Sequence, residues 1–345
     1  MNFTCRMMMV QVVLVAVASL GAGPAVAKPG TGAVNGVGRV FLPNPVAFLQ
    51  DQTLTDQKDA DYAALLPAYQ TVVLTNLDGS GYLRGDWAVV TSNTGTPAYS
   101  KTGSFLYNRH DDQFEQVMAY FWVTQAQKYI QSLGFGTTRP PINMEAQDIR
   151  INQWGVDNSY SWEKHDVMRF GKGGVDDAED ADVILHEYGH SMMDSQANPF
   201  GSFVYAGDTG GICEGFADYW AVTMTSLVAP TPDPACIGDW DSVSYTTSTP
   251  HCLRRIDRNL HYPEDLTGLV HRDGMLWSRA LWDIRSGLGN VAADTIILQS
   301  MFDFPSDVSM PAAAEITVET AMALYGPDAA AVVFDAFAAR GMLVP

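Results

Sequence analysis

DADVILHEYGHSMMD, residues 180–194, places two histidines four residues apart, with a glutamate directly after the first. Apolar residues recur at three-to-four spacing, which predicts a helix over Asp182–Met193. Residues four apart share one face of a helix, so the rings of His186 and His190 can reach one metal ion. Glu187, one step round, can point at a water on that metal without binding it. Gly189 is a poor helix former, and two histidines on a solvated face would be the plain alternative.

The next helix strengthens the metal reading. GGICEGFADYWA, residues 210–221, sets Glu214 and Asp218 four apart among Ile212, Phe216, Tyr219 and Trp220. A helix so apolar is largely buried, and buried carboxylates need partners. A catalytic zinc takes three protein ligands and keeps a position open for water; His186, His190 and Glu214 supply that set. Asp218 can accept the free ring N–H of a ligand histidine and fix its tautomer.

Outward from this centre the chain divides in character. Residues 1–27 have the order of an export signal: Arg6, an apolar run from Met7 to Leu20, and Ala25-Val26-Ala27 as a cleavage site. Residues 28 to about 60 are rich in Gly, Pro and Asn and show no period. Tyr69 to Thr91 holds two β-prone runs around Asp78-Gly79-Ser80-Gly81, a hairpin signal. A helix is expected over Gln113–Leu133 and strands near Ile149–Asn152 and Val167–Phe170. Helical spacing returns over Gly211–Val228, Asp273–Ser286 and two segments after Pro311, beyond a long polar loop from Ala229 to Leu266. The expected fold class is α+β, with a mixed lobe over residues 28–195 ending in the zinc helix and a mainly helical lobe over residues 196–345.

Composition limits the partners. The chain has 345 residues and a net charge of −19; without residues 1–27, 19 basic residues face 39 acidic ones. So acidic a chain repels nucleic acid and anionic membrane. No D-x-D-x-D-G calcium loop occurs, so calcium has no support here. Of the four cysteines, Cys5 leaves with the signal. Cys236 and Cys252 bracket a polar loop and are the expected disulfide in an exported chain; Cys213, inside an apolar helix, is expected to stay a buried thiol, with a bridge from it to either of the others as the alternative.

HEYGH, then EGFADYWA, then LVHRDGMLWSRALWDI (residues 269–284) together resemble the fungalysin family of secreted metalloendopeptidases, thermolysin-like in fold and mechanism. The resemblance runs from about Asn158 to Leu288 and is weak over residues 28–140. It implies that His186, His190 and Glu214 bind zinc, that Glu187 is the general base, and that Asp218 orients His186. It further implies that Tyr205 and His271 hydrogen-bond the developing oxyanion. Asn158, Ser159 and Tyr160, in DNSYSW, resemble the edge strand that pairs with a peptide. Arg254 in CLRRID resembles the arginine that contacts a substrate carbonyl, with Arg255 a near-equal candidate. Val183 and Leu253 resemble walls of an apolar primed-side pocket. The chain departs from the family where an aspartate is expected five residues before His271: Leu266 stands there, with Asp265 one position away. Recognisable thermolysin-type calcium ligands are also missing.

The expected protein is thus a secreted monomer acting on peptides or unfolded proteins. An aminopeptidase with the same ligands is the enzymatic rival, but no G-x-M-E-N-like segment for a free amine precedes the zinc helix. An inactive zinc-binding protein is the other, and Glu187 speaks against it, since a structural zinc site needs no base. No G-x-S-x-G elbow occurs, so a serine nucleophile has no support.

Overall fold

Helix α2 (Gln113–Ser132) is buried on almost every side: Phe114, Val117, Met118, Tyr120, Trp122, Val123, Ala126 and Ile130 are inaccessible to solvent. Such a helix must be covered all round, and its neighbours are strands on one side and the metal-site helix on another. The structure, a computed structural model, describes residues 34–92, 94–197 and 203–344. The export signal expected at residues 1–27 lies outside the described residues.

Strand β1 (Val34–Val40) lies between β2 (Gln70–Leu77), antiparallel to it, and β4 (Ser104–Phe105), parallel to it. A second sheet has the order β3–β5–β7–β6, from Ala88–Val90, Gln147–Arg150, Val167–Arg169 and Tyr160–Trp162. Its first three strands are parallel; β6 runs antiparallel to β7 and forms the edge. The short helix α1 (Pro45–Leu49) follows β1.

The expected hairpin between Tyr69 and Thr91 is corrected. The chain does turn at Asp78–Gly81, with positive φ at Gly79 and Gly81, but β2 and β3 belong to different sheets. The two runs are linked by one isolated bridge, Leu77 to Gly85, and by the Asp78 N–H to Arg84 and Asp86 N–H to Asn76 carbonyl bonds, at 2.8 and 3.1 Å. The partner of β2 is β1, in a segment whose glycines hid it. A Cβ at Gly36 would lie 2.7 Å from the Gly103 carbonyl oxygen, and one at Gly38 would lie 2.7 Å from Val117 on α2. Those glycines let a strand press against its neighbours, and the same composition reads as irregular.

After Asp180 the described chain is helical apart from one small strand pair. Helices α3 (Ala181–Gln196), α4 (Gly207–Val228) and α5 (Val270–Leu288) pack in succession. They are followed by α6 (Asn290–Ser300), α7 (Met310–Tyr325) and α8 (Pro327–Ala338). The periodicity did not anticipate α6, whose buried residues lie all round it rather than on one stripe. One apolar cluster runs from Val40 to Leu343 through both the strand-bearing and helical parts.

The strand pair β8 (Cys236–Ile237) and β9 (Arg254–Arg255) sits within the long polar loop. It is tied by the expected Cys236–Cys252 disulfide, and Cys213 is a buried free thiol. The bridge closes a loop with a sequence separation of 16, a length for which lost chain entropy is worth about 3 kcal/mol. Cys252→Ser is therefore expected to lower stability by about that amount in denaturant unfolding. A loss well under 1 kcal/mol would show that the loop is held by its other contacts.

Candidate active site

The start of α3 is pinned from several directions. Asp180 caps it, accepting from the Asp182 N–H at 3.0 Å, from the N–H groups of Trp240 and Asp241 at 3.1 and 3.2 Å, and from the Asn44 side chain. Two turns on, His186 and His190 point the same way: their rings lie 4.8 Å apart and their Nε2 atoms 3.2 Å apart.

Gly189 has a purpose that its poor helix propensity concealed. A Cβ there would stand 2.9 Å from the Cα of Ala217, so α3 and α4 meet backbone to backbone. That contact brings Glu214 and Asp218 of α4 under the histidines. Helix α5 meets α4 in the same way: a Cβ on Gly215 would lie 2.3 Å from the Gly274 carbonyl oxygen, and one on Gly274 would lie 2.9 Å from Glu214 Cβ. This crossing delivers His271 from the first turn of α5.

The polar atoms converge. His186 Nε2 is 3.3 Å from Glu214 Oε2, His190 Nε2 is 3.7 Å from Glu214 Oε1, and His271 Nε2 is 3.3 Å from the same oxygen. Ligand atoms of His186, His190 and Glu214 all lie within 4.8 Å of one another. On its far side, His186 Nδ1 is 2.8 Å from Asp218 Oδ1. Arg254 grips both oxygens of Asp218, each at 2.7 Å.

These distances carry a chemical consequence. With its Nδ1–H given to Asp218, neutral His186 turns a bare Nε2 lone pair toward the lone pairs of Glu214. Glu214 Oε2 is buried and has no hydrogen-bond partner. Lone pairs gathered without donors call for a cation, and two imidazoles with one carboxylate are the donor set that suits a metal. With no cation a proton takes that place: burial resists charge on His186, but the carboxylates of Asp218 and Glu214 outweigh it and lift its pKa to about 10. Burial also resists charge on Glu214, yet the neighbouring histidines, His186 foremost, hold it down at about 2. Asp218 is held low against burial by Arg254 and His186. His190 falls to about 4, chiefly through burial.

Glu187 stands beside this group, 6% exposed. Burial raises its pKa to about 7, partly countered by His186 and by the Ser161 backbone N–H. One of its oxygens, Oε2, is buried without a partner. Ser161 belongs to β6, and its hydroxyl lies 2.9 Å from that of Ser191 on α3, which fastens the edge strand beside the metal-site helix.

A cavity of about 430 Å³ opens over these groups. It is lined by His186, Glu187, His190, Glu214 and His271, and also by Tyr205, Asn158, Ser159 and Tyr160. Tyr205 is half exposed, its ring 5.9 Å from that of His190. Of the two candidate arginines only Arg254 reaches the site; Arg255 pairs with Asp233 and Asp257. The Ser159 hydroxyl is turned away, donating to Asp177, and the Asn158 carbonyl accepts from the Trp154 ring N–H at 2.9 Å. Val183 and Leu253 are not among the lining residues, and the apolar walls are Met193 and Phe203 instead. Asp265 serves His261, not His271: its carboxylate accepts the His261 N–H at 2.8 Å. Sequence reading passed over Ser161, Met193, Phe203 and the Gly215–Gly274 contact; only the glycines, spaced along apolar helices, hinted at a close crossing.

Converging imidazoles and carboxylates, a buried acid without a partner and an open cavity beside an edge strand define a metal-dependent hydrolase. A family model described as fungalysin metallopeptidase (M36) matches residues 104–344, and the chain belongs to that family of peptidases. Among solved structures it is similar to the precursor of protealysin, a metalloproteinase from Serratia proteamaculans, with a TM-score of 0.56 and 17% identity. The match covers 74% of this chain and 87% of that one, and it bears out the expected α+β, thermolysin-like fold. No curated protein matches the chain.

The helix crossings make a direct expectation. Gly189→Ala puts a methyl into the backbone of α4, an overpacking that costs about 1–3 kcal/mol, and it should also spread the ligand set. Melting temperature and metal content should fall together; a variant that keeps both would show that α4 can shift without cost.

Proposed function

We propose that the chain is a zinc-dependent endopeptidase in which His186, His190 and Glu214 hold the ion and Glu187 is the general base. The observation that carries this reading is the pairing of a convergent, donor-free ligand set with a buried glutamate whose free oxygen faces no partner. Two imidazoles and a carboxylate, with room beside them, are the catalytic rather than the structural pattern for zinc. Zinc bound there would act as a Lewis acid toward the scissile carbonyl and make a water a stronger acid.

The chain's own residues do the rest. Glu187, with a pKa near 7, takes a proton from the attacking water and passes it to the leaving amine. Tyr205 and His271, which both line the cavity, donate hydrogen bonds to the oxygen as it gains charge, worth roughly 3 kcal/mol per donor. Asp218, clamped by Arg254, keeps His186 in the tautomer that presents Nε2. Arg254 itself is the candidate for a substrate carbonyl. The free edge of β6, entered through Asn158 and Ser159, can pair with an extended peptide main chain. Such pairing selects segments already unfolded. We take the cleft to lie between lobes divided near residue 195, and the enzyme to be exported as a monomer. No helix of the described residues is long and apolar enough to cross a membrane.

Met193 and Phe203 favour an apolar substrate side chain, whose burial contributes roughly 1.5–3 kcal/mol. Digestion of a denatured protein is therefore expected to give internal cuts before Leu, Phe or Ile, abolished by a chelator and restored by zinc. Stepwise release of amino-terminal residues would point to the aminopeptidase instead. Elemental analysis is expected to find about one zinc per chain, lost in His186→Ala and Glu214→Ala. Glu187→Gln should keep the zinc and lose turnover by a factor on the order of 10² or more. Near-normal cleavage by that variant would remove Glu187 from the mechanism.

A further inference from the structure

Close to the cleft lies a second gathering of acids, separate from the histidine site. Asp157, Asp177 and Asp241 each offer an oxygen, and these atoms lie within 4.8 Å of one another. Asp177 and Asp241 are 2% and 4% exposed. Each uses one oxygen well: Asp177 Oδ2 accepts from the Ser159 hydroxyl, and Asp241 Oδ2 accepts from Tyr245 at 2.7 Å. Their other oxygens, Oδ1 in both, are buried with no hydrogen-bond partner. No ion pair among the described residues includes any of the three. The buried Glu179, by contrast, is met by a base, with Arg109 at 2.9 Å.

The local backbone is built to bring Asp157 in. Gly171, Gly173 and Gly174 form a shelf on which residues 155–158 rest. A Cβ at Gly171 would lie 2.2 Å from the Val156 carbonyl oxygen, and one at Gly173 would lie 2.3 Å from the Asp157 nitrogen. At Gly174 it would lie 2.6 Å from the Asp157 carboxylate itself. Three carboxylates drawn together with two orphaned buried oxygens leave two ways to relieve the repulsion: a bound proton or a bound cation. With no cation, burial pushes Asp157 up to about 6 and Asp177 up to about 7.

We propose that Asp157, Asp177 and Asp241 bind a hard divalent cation of the calcium type, which fastens the loop entering β6 to the body of the protein. An all-oxygen, all-carboxylate donor set suits calcium over zinc, and water fills the remaining positions of its six to eight ligands. The Ser159–Asp177 bond then links the cation to a residue that lines the cleft. The inference does not depend on the peptidase mechanism, because none of the three acids belongs to it.

The test uses the full chain loaded with zinc and then dialysed free of calcium. Titration calorimetry with calcium is expected to show about one site, and calcium should raise the melting temperature. Terbium, as a calcium probe, should luminesce through the nearby Tyr245. Asp157→Asn, at the partly exposed edge of the site, and Asp241→Asn should each weaken calcium binding roughly tenfold or more, with the zinc content unchanged. Without calcium, Asp241→Asn should melt no lower than the parent, because it removes a buried, uncompensated charge. If Asp241→Asn does not fold, Asp157→Asn still decides. No calcium heat and no melting shift at millimolar calcium, or a full shift retained in Asp157→Asn, would overturn the proposal.

Discussion

Three helices can share one cluster of ligands only if their backbones nearly touch, and in this protein they do so because nothing larger than a hydrogen or a methyl stands between them. Gly189 faces Ala217, and Gly215 faces Gly274. A side chain at any of these crossings would push α4 from α3, or α5 from α4. Glu214 must sit within reach of His186, His190 and His271 together, so such a displacement scatters the group. The penalty of glycine in a helix interior, about 1 kcal/mol each, is accepted where it allows this approach. The buried Trp277 packs directly against the crossing, its Cβ 2.8 Å from where a Cβ on Gly215 would lie.

The second constraint is charge. A protein with 39 acidic and 20 basic residues that buries acids has few bases to meet them, and it meets them differently in different places. Arg109 is fully enclosed by Glu179, Asp56 and Asp59 and stacks near Trp240 at 5.1 Å. Asp180 is satisfied by backbone N–H groups instead. Asp294 takes hydrogen bonds from Tyr129 and Tyr219 with Arg285 beside it. Glu115, Glu187, Glu214 and the group around Asp241 are met less fully, each keeping a buried oxygen without a donor. An unmatched buried carboxylate is expensive, and where several ligand atoms also converge on one point, as at Glu214 and at Asp241, a positive partner from outside the chain relieves that cost.

The metal-site helices were legible because their signals are local. His186, Glu187 and His190 lie within one turn, Glu214 and Asp218 within another, and four-residue spacing states which face they share. The disulfide was legible from a turn-rich loop between two cysteines. What could not be read depends on distant chain segments. The pairing of β1 with β2 is set by a glycine-bearing strand far from the turn that suggested a hairpin. The walls of the cavity come from Met193 and Phe203, whose neighbours in space belong to other elements. Asp157, Asp177 and Asp241 are separated by up to 84 positions in the numbering, so no spacing rule could join them.

The loop that holds β8 and β9 has the composition of solvent-exposed filler, yet it supplies the outermost link in a chain of orientation. The disulfide joins Cys236 to Cys252, which fixes β9 against β8 and so fixes the backbone of Arg254. Arg254 can then hold Asp218 through two parallel bonds of 2.7 Å, a planar grip that a lysine could not reproduce. Asp218 in turn sets the ring of His186 from the side away from the metal position. Each step removes a rotation from the next group, so the last of them, the direction of the His186 Nε2 lone pair, is defined before any metal arrives. The entropy of ordering a ligand is thereby met during folding, assisted by a covalent bond some distance from the site. A polar loop can take this part while the helices that carry the ligands, α3 and α4, are buried along most of their length.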